Sequence, residues 1–183
     1  MSFALSGAVN PPTTFLARFS ELSDRFDPEM VLFRRKTHNF KYPVSRLREF
    51  FREPPQYGAG ERGMEREEID QPRYVRITDI NEYGILNDVF GATAATIGPR
   101  YILEEDDLLL ARSGNTVGKS YLHKTTHVSY PCFFAGYLIR FRFDTSRIFP
   151  DYVFALTQLS YYKEWVQAVQ RAAVTRIATL RQY

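Results

Sequence analysis

The sequence predicts a mixed α+β fold, in which short helices flank a central run of strands and a long helix ends the chain. Three observations predict it. Apolar residues recur every three to four positions before residue 54, they alternate or cluster in short runs between residues 74 and 143, and helical spacing returns after Pro150. The length of 183 residues and a hydrophobic content of 44% are enough to bury a core.

The N-terminal part is expected to contain two short helices. Residues 1–12 end in two prolines and are expected to form a loose leader. Apolar residues recur at helical spacing in residues 13–26 and again in 43–53, where Pro54-Pro55 ends the second helix. Three glycines and many charges then predict an exposed loop over residues 56–72.

The middle of the chain is expected to supply the strands. Alternation predicts a strand over residues 74–80, closed by turn residues at 81–84. An acidic turn at residues 104–107 leads into the apolar run 108–110. The strongest strand pattern covers residues 132–143.

The last of these strands has two chemically different faces. Ile139, Phe141 and Phe143 alternate along it with two cations, Arg140 and Arg142. Because neighbouring side chains on a strand point to opposite faces, one face is expected to be core and the other positively charged.

A helical stripe follows Pro150. Its apolar side chains, spaced three and four residues apart, are Tyr152, Leu156, Leu159, Tyr162, Val166, Val169, Ala173, Ile177 and Leu180. As one unbroken helix the stripe would span about 45 Å, and so long a helix at a domain's edge is expected to pack against a partner. The chain stops at Arg181-Gln182-Tyr183 without a glycine or proline stop signal, which predicts truncation within or just after the helix.

Composition indicates a cytoplasmic protein without a membrane span. The single cysteine, Cys132, excludes an internal disulfide framework and fits a reducing compartment. The longest apolar stretch, residues 132–139, is too short to cross a bilayer, and the first ten residues lack the basic region of a signal peptide. A net charge of +3 and a pI near 9.0 permit an anionic partner without requiring one.

The segment ARSGNTVGKS, residues 111–120, ends in the GKS of a phosphate-binding loop. Such a loop needs four residues between its two glycines, whereas Gly114 and Gly118 have three. It also opens a helix, whereas the β-branched and aromatic residues after Ser120 predict a strand. The sequence therefore predicts strand, loop and strand, with the glycines at positive φ, and an atypical nucleotide-binding enzyme stays as an alternative.

The sequence contains no complete active site. It has no Asp-x-Lys or Glu-x-Lys, which argues against one large class of magnesium-dependent nucleases. Asn10-Pro11-Pro12 precedes Thr13 instead of the aromatic residue of an adenine methyltransferase motif. His123, His127 and Cys132 lack an obvious fourth zinc ligand. We therefore expect no catalytic residues, no cofactor and no metal site in this chain.

Basic and small polar residues on the predicted strands and loops indicate an interface for double-stranded DNA. Cations bind phosphates, and Arg, Asn, Ser, Thr or Lys on protruding loops read base edges. The residues expected to face the groove are Arg76, Thr78, Arg112, Ser113, Asn115, Thr116 and Lys119. Those expected to hold phosphates are Lys124, Arg140 and Arg142. In the alternative, Arg112 pairs with Asp106 or Asp107, Lys119 is solvated, and the chain is an interaction module that does not bind DNA.

Five segments in order along residues 20–183 resemble the specificity subunits of type I restriction-modification systems. The segments are SDRFDPEM, YVRITDINEYG, EEDDLLLARSG with NTVGKSYL, FFAGYLIRF, and FPDYVFALTQLSYYKEWV. The resemblance implies a leader with the start of the first helix at residues 1–20, a target recognition domain at 21–150 with a curled, mostly antiparallel sheet, and a conserved helical region at 151–183.

The resemblance also implies a function without catalysis in this chain. The domain would read one half of a bipartite DNA target in defence against foreign DNA. The apolar residues of the C-terminal helix, Tyr152 to Leu180, would dock an N6-adenine methyltransferase subunit, and a motor nuclease subunit would complete the complex.

The chain departs from the family in having one domain and helix where complete specificity subunits have two. It is therefore expected to pair with a second copy of itself or a second recognition half, or to be a fragment. A further alternative is a target recognition domain cut from a larger fused DNA methyltransferase and restriction enzyme.

Overall fold

The computed structural model describes residues 14–22, 28–37, 42–87, 90–113 and 116–171. Within these ranges the chain forms three α-helices and eight short strands, so the predicted mixed α+β class is confirmed. The helices are α1 (Pro28–Thr37), α2 (Pro150–Gln158) and α3 (Ser160–Arg171). The strands are β1 (Gln56–Tyr57), β2 (Met64–Glu65), β3 (Arg73–Val75), β4 (Ala92–Thr93), β5 (Leu108–Ala111), β6 (Ser120–Leu122), β7 (Cys132–Phe134) and β8 (Leu138–Phe141).

The first sheet is antiparallel throughout, with strand order β1-β8-β5-β6. At the centre of β5, Leu109 lies opposite Arg140 of β8 on one side and Tyr121 of β6 on the other. Every residue of β5 is buried. A strand covered on both faces needs apolar residues at every position, which explains its continuous Leu108–Ala111 run.

The second sheet is mixed, with strand order β2-β4-β3-β7. β3 pairs in parallel with β7 and antiparallel with β4, and β2 pairs antiparallel with β4. Tyr74 of β3 lies beside Phe133 of β7, and their rings stack with centroids 4.6 Å apart. The strands therefore form two sheets, in which every pair except β3–β7 is antiparallel.

The expectation of one continuous strand over residues 132–143 is wrong. β7 and β8 belong to different sheets, and a turn at Ala135-Gly136-Tyr137 joins them. The turn is closed by the Leu138 N–H, which donates to the Ala135 carbonyl oxygen at 2.9 Å. The predicted core face of the last strand is confirmed, because Ile139, Phe141 and Phe143 are buried together.

The first sheet packs on both of its faces. Leu109 belongs to a cluster that includes Val75 and Phe134 of the second sheet. Leu110, the next residue, points the other way into a cluster that includes Val153 of α2. The alternation of β5 thus joins the second sheet to one face and α2 to the other.

The predicted N-terminal helices are wrong in the described residues. Of the first, predicted at 13–26, residues 14–18 have no regular structure and Phe19–Glu21 form one 3₁₀ turn. Leu22 after the turn is extended, and residues 13 and 23–26 of that helix, with the leader at 1–12, lie outside the described residues. Leu16 and Phe19 are 94% and 84% exposed, so the helical spacing has no apolar surface to pack against.

The second predicted helix, at 43–53, is reduced to a 3₁₀ turn at Leu47–Phe50. Beyond that turn, Phe51 forms an antiparallel bridge with Phe143, and the Arg52 N–H donates to the Arg142 carbonyl oxygen at 2.9 Å. Pairing with the end of β8 therefore replaces the helical hydrogen bonds. The loop predicted at 56–72 contains β1 and β2, and α1 was not predicted from the sequence.

The strand predicted at 74–80 is shorter than its alternation suggests. β3 ends at Val75, and Ile77–Asp79 form a 3₁₀ turn. The Asp79 carboxylate accepts the Arg76 N–H at 2.9 Å, so a side chain supplies the hydrogen bond that a strand neighbour would have given.

The expected unbroken C-terminal helix is interrupted at Leu159, where the backbone is extended, with φ −71° and ψ 148°. Two side chains before the break, Thr157 and Gln158, both hydrogen-bond the Ser120 hydroxyl of β6. These bonds attach the end of α2 to the first sheet, and α3 then starts at Ser160.

The apolar stripe is divided by this break. Val166 and Val169 on α3 are buried, and the Tyr161 ring lies 4.9 Å from the ring of Phe33 on α1. The apolar side of α3 is thus covered by its own chain. Ala173, Ile177 and Leu180 lie outside the described residues. No helix in the described ranges is long and apolar enough to cross a membrane.

Gly118 holds the loop before β6 against α3. Its φ of +82° is in the left-handed region, and a Cβ there would lie 2.8 Å from Cγ2 of Val166. We expect Gly118→Ala to lower the free energy of unfolding by about 2–4 kcal/mol, from backbone strain and from overpacking. Urea denaturation measures the change.

Gly60→Ala is the matched control, because a Cβ at Gly60 meets nothing within 4 Å. It should change stability by less than about 0.5 kcal/mol. In a Val166→Ala background the cost of Gly118→Ala should shrink to the strain component, about 1–2 kcal/mol. An unchanged cost in that background would contradict the packing of α3 on the loop.

Candidate nucleic-acid interface

The strand registers show at which end of the first sheet each predicted DNA-binding residue lies. At one end β5 finishes at Ala111, opposite the start of β8 at Leu138. At the other end β5 starts at Leu108, opposite Leu122 of β6 and Phe141 of β8. Residues that follow β5 or precede β6 therefore lie far from those that precede β5 or follow β8.

We call the first of these the basic end. The described sequence-predicted residues that lie there are Arg76, Thr78, Arg112, Ser113, Thr116 and Lys119. Gly114 and Asn115, between Ser113 and Thr116, lie outside the described residues.

Backbone hydrogen bonds bring three loops together at the basic end. The Ala111 N–H donates to the Lys119 carbonyl oxygen at 2.8 Å, and the Arg112 N–H donates to the Tyr137 carbonyl oxygen at 3.1 Å. The Ala135 N–H donates to the Val75 carbonyl oxygen at 3.0 Å, which sets Arg76 beside the same turn. The loops after β3, β5 and β7 thus form one surface.

Lys119 links this surface further. Its Nζ donates to the Ile77 carbonyl oxygen at 3.3 Å, next to the exposed Thr78. The lysine is therefore half-buried and hydrogen-bonded, not simply solvated as in the alternative weighed from the sequence.

Arg76 is held in place by its own chain. Its Nε and Nη2 donate to the two carboxylate oxygens of Asp79 at 3.1 and 2.9 Å, and its side chain stays 42% exposed. The hydrogen bonds that Arg76 donates to Asp79 raise the pKa of Arg76 above its usual value, although burial opposes them. This arrangement holds the guanidinium of Arg76 in a fixed position at the surface, where the carboxylate of Asp79 compensates part of its positive charge.

Arg112 stacks on an aromatic ring instead of pairing with a carboxylate. Its guanidinium carbon lies 4.7 Å from the centroid of the Tyr57 ring, and its buried Nε has no hydrogen-bond partner. The alternative pairing with Asp106 or Asp107 is excluded, because those residues precede β5 and Arg112 follows it. The predicted cations at the basic end are Arg76, Arg112 and Lys119. Within the described ranges, only Arg76 of these three forms a salt bridge.

Two residues of this region were missed in the sequence. Tyr137 is 65% exposed at the turn that carries the bond to Arg112, and Arg62 is exposed in the segment between β1 and β2. The Gly136-Tyr137 pair is a turn signal that the apolar run around it concealed. No comparable signal singles out Arg62.

The opposite end of the first sheet is the ion-pair end. Lys124 donates to Asp106 and, at 2.8 Å, to Asp151, and Glu105 lies 3.8 Å away. Burial alone would lower the pKa of Lys124, but these carboxylates raise it above its usual value. Lys124 is thus committed to three carboxylates of its own chain.

Arg140 and Arg142 are also paired inside the protein. Arg142 donates to both carboxylate oxygens of Asp107, at 2.7 and 3.1 Å, and forms salt bridges with Glu53 and Glu104. Arg140 is 4% exposed and lies 3.7 Å from Asp107. The two arginines occupy the face of β8 opposite Ile139 as predicted, but that face is buried and neutralised, so neither is presented to a partner in this structure.

The loop between β5 and β6 does not have the context of a nucleotide-binding loop. The residues after Lys119 form β6, so the predicted order of strand, loop and strand is confirmed. Gly118 has the expected positive φ. No helix N-terminus follows the GKS sequence, which leaves the loop without the dipole that phosphates need.

His123 lies buried at the ion-pair end. The Tyr121 hydroxyl is 3.0 Å from Nδ1 of its ring, and Cys132, whose pKa burial raises to about 11, is in the neighbouring core. Within the described part of the chain, no three His, Cys, Asp or Glu side chains lie close enough to hold a metal ion.

Comparison with known protein families and with curated proteins finds no match for this chain. The resemblance to type I specificity subunits therefore rests on the sequence segments alone.

His123 should make stability depend on pH. Burial lowers its folded pKa below the usual 6.5, so the unfolded chain binds more protons as the pH falls through that value. We expect the free energy of unfolding to decrease between about pH 7 and pH 5, with a slope of at most about 1.4 kcal/mol per pH unit. Urea denaturation at each pH measures it.

The slope in this window should disappear in His123→Gln and remain in His127→Gln. Glu105, whose pKa is lowered by hydrogen bonds from Thr125, contributes only at lower pH, because its usual pKa is 4.5. A wild-type slope that persists in His123→Gln would assign the effect to another group.

Proposed function

We propose that this chain is a non-catalytic DNA recognition subunit of the type I restriction-modification kind, which reads one half of a bipartite target. The observation that carries the proposal is the basic end, where three loops bring cations and small polar side chains to one surface. In this proposal residues 21–150 are a target recognition domain, and the two sheets together correspond to its curled sheet.

The loop between β5 and β6 is the proposed base reader. Arg112, Ser113, Asn115 and Thr116 carry the donors and acceptors that recognise base edges, and each good bidentate contact contributes about 1–3 kcal/mol of discrimination. Stacking on Tyr57 supports this role for Arg112, because it fixes the guanidinium plane without consuming its charge.

Phosphate binding is reassigned from the three predicted phosphate-binding residues to one other predicted residue and to Arg62. Lys119 and the exposed Arg62 are better placed for it than Lys124, Arg140 and Arg142. Those three would have to break ion pairs before they contacted DNA. For Arg142, whose partner Asp107 is 1% exposed, removal of one partner of such a buried pair costs about 3–5 kcal/mol.

The partner surface is proposed to lie on α2 and at its two ends. Phe149, Tyr152, Leu156 and Leu159 are 76%, 59%, 39% and 51% exposed. Their spacing of three, four and three residues places them on one side of the helix. Apolar surface of this kind commonly marks a protein interface.

The proposed occupant of that surface is an N6-adenine methyltransferase subunit, with a motor nuclease subunit in the complete complex. A second copy of the chain, or a second recognition half, would supply the other half-site. Of the predicted partner-binding residues, Tyr162, Val166 and Val169 are instead covered by the chain itself. Assembly on cellular DNA implies a cytoplasmic location.

A binding selection from a random duplex library tests DNA recognition. We expect the chain, mixed with a type I methyltransferase subunit from the same genome, to enrich a short asymmetric motif. Arg112→Ala should lose that enrichment, and Lys119→Ala should weaken binding to all sequences and reduce the salt dependence, log K against log [salt], by about 0.9.

Arg147→Ala is the control, because Arg147 follows β8 at the ion-pair end and its side chain bonds the Glu49 carbonyl oxygen. It should leave the enriched motif and the salt dependence unchanged. Absence of any enriched motif with the partner present would remove the proposal and favour a module that does not bind DNA.

Leu156→Asp tests the partner surface. A charge at the centre of the exposed α2 face should weaken the complex with the methyltransferase subunit at least tenfold, as measured by calorimetry. Gln167→Asp introduces the same charge at an exposed helical position on α3, outside that face, and should change the affinity less than about threefold. Equal effects of the two variants would contradict the assignment.

A further inference from the structure

A cavity of about 450 Å³ lies on the side of the second sheet and α2, away from the basic end. Its wall includes Arg66 and Arg73 from the segment around β3, Ile85 and Phe90 from the chain between β3 and β4, and Phe154 of α2. Lys124 and Asp151, which belong to the ion-pair end, also line it. The proposed DNA interface contributes no residue to this wall.

Arg66 is buried in this wall without a carboxylate partner. It is 3% exposed, and its guanidinium donates to three backbone carbonyl oxygens: those of Gln71 at 2.8 Å, Phe90 at 3.0 Å, and Ile69. None of the salt bridges formed within the described ranges involves Arg66.

Arg73 has the same property and lacks one hydrogen bond as well. It is 3% exposed and donates to the Tyr130 hydroxyl at 3.0 Å and to the Asn87 carbonyl oxygen at 3.1 Å. Its buried Nε has no acceptor, and none of the described carboxylates pairs with it.

Two buried guanidinium groups on one cavity wall are costly unless an anion compensates them. Buried arginines are almost always paired, since burial removes the charge from water. Carbonyl oxygens and aromatic rings offset part of this cost but carry no net charge. The remaining positive charge therefore favours an anionic group inside the cavity.

The rest of the wall suits a flat, apolar body. The Arg66 guanidinium carbon lies 3.9 Å from the Tyr130 ring centroid and 5.5 Å from that of Phe90. Leu86, Val128 and Phe154 supply apolar surface around these rings. A cavity of this size and mixture of groups is typical of sites for small organic ligands.

We propose that this cavity binds a small organic anion, made of a planar ring that carries a phosphate or carboxylate group. The anionic group pairs with Arg66 and Arg73, and the ring packs among the aromatic and apolar side chains. The site is independent of DNA recognition, because it shares no residue with the basic end.

Isothermal titration calorimetry on the full chain tests the proposal with matched probes. Adenosine 5′-monophosphate and benzoate carry both features, adenosine and benzamide lack the charge, and inorganic phosphate lacks the ring. We expect at least one of the two complete probes to bind at millimolar concentration or below, and at least tenfold more tightly than its uncharged counterpart or inorganic phosphate.

Ile85 offers a variant that leaves the buried arginines intact. It is 59% exposed on the cavity wall, so substitution there should not disturb folding. Ile85→Glu adds a negative charge at the rim and should weaken binding of the anionic probe at least tenfold, whereas Ile85→Gln should weaken it less than threefold. Arg73→Gln should abolish binding, with its fold checked by circular dichroism.

Asp88 follows Asn87 in the sequence and lies outside the described residues. The calorimetry is therefore repeated with Asp88→Asn, which removes this carboxylate. Binding of a probe to Asp88→Asn but not to the wild type would show that the chain neutralises its own arginines, and would overturn the proposal. Absence of binding by both complete probes, or equal effects of Ile85→Glu and Ile85→Gln, would overturn it as well. A failure of DNA recognition leaves these outcomes unchanged.

Discussion

The buried carboxylate of Asp107 organises the first sheet. It is 1% exposed, its Oδ1 and Oδ2 accept from Arg142, and Oδ2 also accepts the Glu104 N–H at 2.9 Å. Its carbonyl oxygen accepts the His123 N–H at 2.9 Å. One residue therefore closes the turn before β5, fixes the start of β5 against the end of β6, and holds β8 beside both. Loss of its charge would leave Arg140 and Arg142 with only the more exposed carboxylates of Glu53 and Glu104, and removal of one partner of a buried ion pair is strongly destabilising.

This interaction also determines where positive charge remains. The acidic turn at residues 104–107 pairs with Lys124 and Arg142, which follow β6 and β8. In the described loops that follow β3, β5 and β7, one carboxylate, that of Asp79, forms a salt bridge, and its partner is Arg76. The salt bridges of the described residues do not include Arg112 and Lys119, so the basic end keeps two cations outside ion pairs in a chain whose net charge is only +3. Charge gathered on one surface attracts a polyanion more strongly than the same charge dispersed. The proposed division into a DNA end and a partner helix follows from this distribution and from the exposed face of α2.

The parts of the fold that local residues determine could be predicted from the sequence. The loop between β5 and β6 follows from its glycines and the strand pattern on either side, and the buried face of β8 follows from alternation. The two sheets could not be predicted, because the Gly136-Tyr137 turn lies inside an apolar run. Arg142 shows the same limit for the site: its cation is evident in the sequence, but its partner Asp107 is 35 positions away. Helical spacing in residues 13–26 did not give a helix in residues 14–22, where Leu16 and Phe19 stay exposed, because a short helix is marginal without packing of its apolar side.

The central claim is that the basic end, and not the ion-pair end, contacts DNA. Hydrogen exchange measured by mass spectrometry, with and without a bound duplex, tests it most directly. We expect slower exchange on DNA binding in peptides that cover residues 111–119 and 135–138, with no change in those that cover 104–107 and 142–147. Protection confined to the second group of peptides would contradict the account, because it would place DNA on the buried ion pairs.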